Sequence, residues 1–72
     1  MKHMSNAYAN ARKRRGLSTA AAADLLGVSE DELVRCERGE LIPDAVEVLH
    51  MARLYGTSAD YLIGNHADDG VG

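Results

Sequence analysis

No phenylalanine and no tryptophan occur in this sequence, and tyrosine is limited to three copies. A core without those large rings must be filled by Ala, Leu, Val, Ile and Met, and small side chains let helices approach closely. That favours a compact all-helical bundle. The single cysteine, Cys36, excludes an internal disulfide and fits a reducing compartment, with burial as its expected role. No apolar run approaches the ~20 residues that span a membrane, and residues 1–8 lack the apolar centre of a signal peptide. A cytoplasmic location with no membrane partner is therefore expected.

Positive charge is also in short supply. Eight basic residues face eleven acidic ones, for a net charge of −3, which counts against nucleic acid as a partner. Distribution qualifies this balance. Four basic residues sit together as Arg12-Lys13-Arg14-Arg15, and two of the acids, Asp68 and Asp69, fall in a glycine-rich terminal stretch. The three histidines, His3, His50 and His66, share no ligand spacing with one another or with Cys36, so no metal is expected. Ser18, Ser29 and Ser58 read as helix caps, and no histidine or acid is spaced to activate them. The chain is not expected to be an enzyme or to carry a cofactor.

What is present is helical punctuation. At 72 residues the chain makes one domain, and a chain this short buries only ~60% of its unfolded surface, so dimerisation would add needed stability. A first helix is expected from about Ser5 to Arg15, stopped by Gly16, with a cationic last turn that suits the negative end of the helix dipole. Tyr8, Ala11 and Arg12 share one of its faces. Ser18 caps a second helix that runs to Leu26, with Ala22, Leu25 and Leu26 as its apolar stripe and Ala20 to Ala23 supplying high helix propensity. Gly27 permits a tight turn. A third helix starts at Ser29, where Ser29 and Glu32 form an S-x-x-E capping box, carries Leu33, Cys36 and Glu37 on one face, and ends by Gly39. After the Glu40-Leu41-Ile42-Pro43 loop, Asp44 and Glu47 cap a fourth helix over about Ala45 to Tyr55, with Ala45, Val48, Leu49, Ala52 and Tyr55 on its apolar face. Ser58 caps a fifth, from Ala59 to about Ile63, closed by Gly64. Residues 1–7 are expected to be a flexible N-terminus, and Ser5-Asn6-Ala7 has the form of a cloning scar. Residues 65–72 read as a disordered acidic, glycine-rich tail, leaving 8–64 as the domain.

The centre of this pattern, Leu17-Ser18 … Leu26-Gly27-Val28-Ser29 … Glu37-Arg38-Gly39, is two short helices joined by a tight turn. That is the layout of a helix-turn-helix, whose second helix is presented to the DNA major groove. From Tyr8 to Gly64 the chain resembles the phage-repressor (Xre/Cro-type) family of helix-turn-helix domains. The resemblance rests on Leu26-Gly27-Val28-Ser29, on Glu37-Arg38-Gly39, on Pro43, and on Gly56-Thr57-Ser58-Ala59-Asp60-Tyr61-Leu62-Ile63-Gly64, in that order and spacing. It implies an all-α, five-helix phage-repressor-like bundle that binds double-stranded DNA, commonly a palindromic operator, as a homodimer. By position, Glu30, Asp31, Glu32 and Arg35 fall where base edges are met. Ser18, Thr19, Arg14, Arg15 and Arg38 fall where phosphates are held, and Glu40 also flanks the backbone contact. Arg12 and Glu37 fall where many members hold a buried ion pair. Ala59, Tyr61 and Ile63 lie in the helix that often forms the dimer contact.

The chain departs from the family pattern in sign. Thr19 stands where Gln is common, Glu30-Asp31-Glu32 where Arg, Gln or Thr is common, and Glu40 where Lys is frequent; Cys36 replaces a larger apolar residue. Three readings of the acids stay open. They stabilise the helix through its dipole, at ~0.3–1 kcal/mol each. They read cytosine N4. Or they repel phosphate, and the fold serves as a protein-interaction module facing a basic protein partner. The expected function is that of a small dimeric, sequence-specific transcriptional regulator, with the protein-interaction module as the alternative.

Overall fold

A computed structural model describes residues 6–64. Five helices follow one another: α1 (Asn6–Arg14), α2 (Thr19–Leu26), α3 (Glu30–Glu37), α4 (Ala45–Tyr55) and α5 (Ala59–Ile63). No strand occurs among the described residues. The segment 1–7, expected to be a flexible N-terminus, and the expected tail 65–72 lie outside the described residues apart from Asn6 and Ala7, which belong to α1. Ala7 is buried, so the packed domain begins before Tyr8.

Four helix starts share one device. Ser18, Ser29, Asp44 and Ser58 sit in extended backbone, and each side chain accepts from a backbone N–H three residues on: Ala21 at 3.0 Å, Glu32 at 3.0 Å, Glu47 at 2.8 Å and Tyr61 at 3.0 Å. Each such cap satisfies an N–H that the helix itself cannot. At the end of α2 the chain reverses through Gly27, at φ 76°. This left-handed geometry costs a side-chain-bearing residue more than glycine. It lets Val28 N donate back to Ala23 O at 3.0 Å, closing the helix and delivering Ser29 to the start of α3.

The core centres on Leu33, Met51 and Leu62, which are fully buried, with Tyr8, Ala11, Ala22, Ala23, Val48, Ala52 and Tyr55 around them. Alanines let α1 and α2 each pack on α4. Two apolar faces are rotated from the expected ones. On α2 the buried pair is Ala22 and Ala23, while Leu25 is mostly exposed. On α4 the buried stripe is Val48, Met51, Ala52 and Tyr55, an i, i+3, i+4, i+7 set, and Leu49 is exposed. Apolar residues flank both sides of α4, and the long, unbranched Met51 is fully buried on this helix, which packs against α1, α2 and α5. No helix among the described residues is long and apolar enough to cross a membrane.

Candidate nucleic-acid interface

At about 100° per residue, the buried side of α3 is set by Leu33, Cys36 and Glu37. The opposite side then carries Asp31, Val34, Arg35 and Arg38. Glu30 flanks this outward stripe on one side and Glu32 on the other. The structure follows that division. Thr19 Oγ1, on the first residue of α2, donates to Glu30 Oε2 at 2.6 Å, so the N-termini of α2 and α3 stand side by side. Glu32 instead turns to α4, where its carboxylate reaches Glu47. Burial, then Glu32 and Asp44, hold the Glu47 carboxyl above the usual carboxylate range, with His50 opposing. The second half of the expected capping box is therefore not made: Ser29 caps Glu32 N, but Glu32 does not return to Ser29. Glu32 is half-buried beside α4, off the outward stripe.

Three cations of this surface, Arg35, Arg38 and Arg15, are also spoken for. Arg35 Nε lies 3.2 Å from Asp31 Oδ2 along the helix, and Arg38 Nε lies 3.6 Å from Glu40 Oε2. Arg15 Nε donates to Leu54 O at 3.2 Å, tying it to the last turn of α4, where cations complement free carbonyls. Arg14 is exposed, and Ser18 serves as a cap with its hydroxyl still at the surface. The outward stripe includes Val34, which sequence reasoning passed over. Its signal was there, three residues beyond Asp31 on the same face.

Behind this surface, Arg12 sets the angle of α3. Arg12 Nε donates to Glu37 Oε2 at 2.7 Å, Nη2 donates to Glu37 Oε1 at 3.0 Å, and Nη1 donates to Leu17 O at 2.9 Å. The guanidinium thus joins α1, the α1–α2 turn and the end of α3. The two side chains are only 9% and 10% exposed.

Comparison with known protein families matches residues 9–62 to the helix-turn-helix domain. The chain belongs to that family. No curated protein and no solved structure matches it.

Two further features of this helix-turn-helix domain lie away from the α2–α3 face. An apolar groove of about 320 Å³ is floored by Tyr8, Cys36, Pro43 and Leu62 and rimmed by Leu41, Ile42 and Ile63. Ile42 is 89% exposed and Ile63 52%. Of the three residues of α5 expected at a dimer contact, Ile63 is exposed on this rim, whereas Ala59 and Tyr61 are partly buried against the core. The second feature is the polar interior. Burial, assisted by the acids Glu47, Glu32 and Glu37, pushes the Cys36 thiol up to about 11. Burial pushes the Tyr55 phenol up to about 12, with Glu37 adding and Arg12 opposing, and its hydroxyl finds no hydrogen-bond partner among the described residues. Cys36 is thereby a protonated, inert packing group at neutral pH. No group of three or more metal-type ligands occurs among the described residues.

Proposed function

We propose that this chain is a sequence-specific DNA-binding transcriptional regulator of the phage-repressor (Xre/Cro) type, acting as a cytoplasmic dimer on a palindromic duplex. The observation that carries this reading is the outward stripe of α3, with Asp31, Arg35 and Arg38 exposed and Val34 half-buried, beside the N-terminus of α2. Arg35 would read guanine through its fork, and Val34 suits a thymine methyl. Arg14, Arg38 and Ser18 would hold phosphates, Thr19 only by releasing Glu30, and Arg15 with the part of its fork not given to Leu54. One such domain covers a half-site, and a symmetric operator takes two. The rim of Leu41, Ile42 and Ile63 supplies the apolar surface for that pairing.

Few free cations mean weak, salt-limited binding. Two or three phosphate contacts per subunit give a log–log salt slope of roughly −2 to −3 per subunit, about −5 for a dimer. The test is selection of bound duplexes from a random pool at low salt, followed by affinity against salt for the native chain and Arg14→Ala/Arg38→Ala. Enrichment of a two-fold symmetric site and a shallower slope in the variant support the reading. No binding of any duplex at low salt removes it.

One observation favours a second reading, a protein-interaction module. Glu30 and Asp31 put two carboxylates on the face that would meet phosphate, while the apolar groove lies open elsewhere. If no duplex binds, a basic protein partner on α3 takes the place of DNA.

A further inference from the structure

We propose that Asp31 sets base specificity without itself touching a base, by holding the Arg35 guanidinium through Nε so that Nη1 and Nη2 stand end-on to the groove. The inference rests on the DNA-binding reading and names the residue that orders its principal reader.

Three observations carry it. Asp31 Oδ2 lies 3.2 Å from Arg35 Nε, and the acid precedes the base by four residues, the orientation in which such a pair is favourable on a helix. Both residues lie at the centre of the outward stripe, with side chains 78% and 57% exposed respectively, so the pair is open to a duplex approaching this face. Among the described residues, the contact with Asp31 is the only ion pair of Arg35, and its terminal nitrogens make no hydrogen bond. End-on Nη1 and Nη2 match guanine O6 and N7, and this pairing leaves Nε available to Asp31.

The chemistry separates Asp31 from the other acids of the surface. Glu30 accepts from the Thr19 hydroxyl and Glu40 sits near Arg38; both partners are phosphate-type donors. Asp31 alone is paired with a group suited to base readout. A free arginine has many rotamers to lose on binding, and a fork fixed in advance loses fewer of them. The same carboxylate discourages Arg35 from folding onto a nearby phosphate, a contact that would raise affinity without information. Asp31 therefore exchanges non-specific affinity for discrimination.

The test uses the whole chain. Duplexes are first selected from a random pool at low salt by the native protein. The guanine read by Arg35 is the position whose preference falls most in Arg35→Ala. Affinities are then measured for the selected duplex, for the same duplex with that guanine replaced, and for a scrambled duplex. The proteins are the native chain, Asp31→Asn, Asp31→Glu, Arg35→Ala and Asp31→Asn/Arg35→Ala, each checked for an unchanged melting temperature. A bidentate arginine–guanine pair discriminates by roughly 5- to 150-fold, so partial loss of order is expected to lower the preference several-fold. In Asp31→Asn the scrambled duplex binds more tightly while the guanine preference falls. Asp31→Glu, which can still reach Arg35, keeps most of it. In the Arg35→Ala background Asp31→Asn has no further effect on preference, because the acid acts through the arginine. An unchanged preference in Asp31→Asn overturns the proposal and leaves Asp31 as a source of repulsion only. A loss of equal size with and without Arg35, or a loss at a different base, overturns it by making Asp31 a reader in its own right. If the native chain selects no duplex, the DNA-binding reading itself has failed, and this proposal with it.

Discussion

Replacing Glu37 by glutamine would remove one charge from the pair that fixes α3 against α1. Glu37 accepts two hydrogen bonds from Arg12, at 2.7 and 3.0 Å, with both side chains about nine-tenths buried. In the variant the amide oxygen can accept one of them, and Leu17 O still holds Nη1. The other donor and an uncompensated positive charge stay inside. Removing one partner of a buried pair costs ~3–5 kcal/mol, and the retained acceptor places this case near ~3 kcal/mol. At roughly 0.05–0.15 kcal/mol per residue, a domain of this size has only about 4–10 kcal/mol in all. Each kcal/mol is worth about 4–8 °C of melting temperature in so small a domain, so Glu37→Gln is expected to melt at least ~12 °C lower. Thermal unfolding followed by circular dichroism reads this directly. The companion variant Arg12→Met/Glu37→Leu removes both charges and should recover most of the loss, since apolar replacements of a buried pair are often neutral or stabilising. A drop of under ~4 °C in Glu37→Gln would refute the reasoning, because the pair would then be as weak as an exposed one. So would a double variant no more stable than the single.

The remaining predictions concern the other buried groups and the groove. Glu47 has a raised pKa, so the folded state holds its proton more tightly than the unfolded one. Its favourable contribution is full at acid pH and is lost as pH rises from the usual carboxylate range through the folded value. The melting temperature of Glu47→Gln relative to the native chain is therefore expected to be more favourable at about pH 7 than at about pH 3, and equal differences at both would contradict it. The Cys36 thiol, buried and pushed up to about 11, should resist alkylation in the folded protein at neutral pH and react fully once denatured; prompt labelling of the native chain would show otherwise. Tyr55→Phe removes a buried hydroxyl that has no partner among the described residues. It is expected to leave the melting temperature unchanged or raise it by a few degrees, and a clear fall would mean the hydroxyl is satisfied in solution. Ile42→Lys, at an 89% exposed rim position, should leave stability intact and lower the sedimentation mass if the groove pairs two copies; an unchanged dimer would put the contact elsewhere.

Much of the fold was legible because its signals are local. Ser18, Ser29, Asp44 and Ser58 announce helix starts by a hydrogen bond made within three residues, and Gly16, Gly27, Gly56 and Gly64 mark the ends by backbone freedom. Such signals need no knowledge of what packs against the helix. The expected bounds of α4 and α5 accordingly coincide with the observed ones, and those of α2 and α3 start just after their predicted caps. Arg12 and Glu37 were legible as well, through their inward positions beside Tyr8 and Cys36.

Burial within an apolar flank was not legible. The sequence of α4 offers Leu49 and Met51 as equivalent candidates, and only the directions of α1, α2 and α5 decide that Met51 goes in and Leu49 out. The same holds for Leu25 against Ala23 on α2. The fate of the acids was likewise beyond a one-dimensional reading. Glu30, Asp31 and Glu32 are consecutive and chemically alike, yet they are sent to Thr19, to Arg35 and to Glu47, because neighbouring residues on a helix point about 100° apart toward different elements. Caps and turn follow from the chain alone, since each is fixed by contacts within a few residues, and the residue content limits what the core can be made of. Which side chains fill the core and which partner each charge meets depend on helices far apart in the chain, and so emerge only once the bundle is assembled.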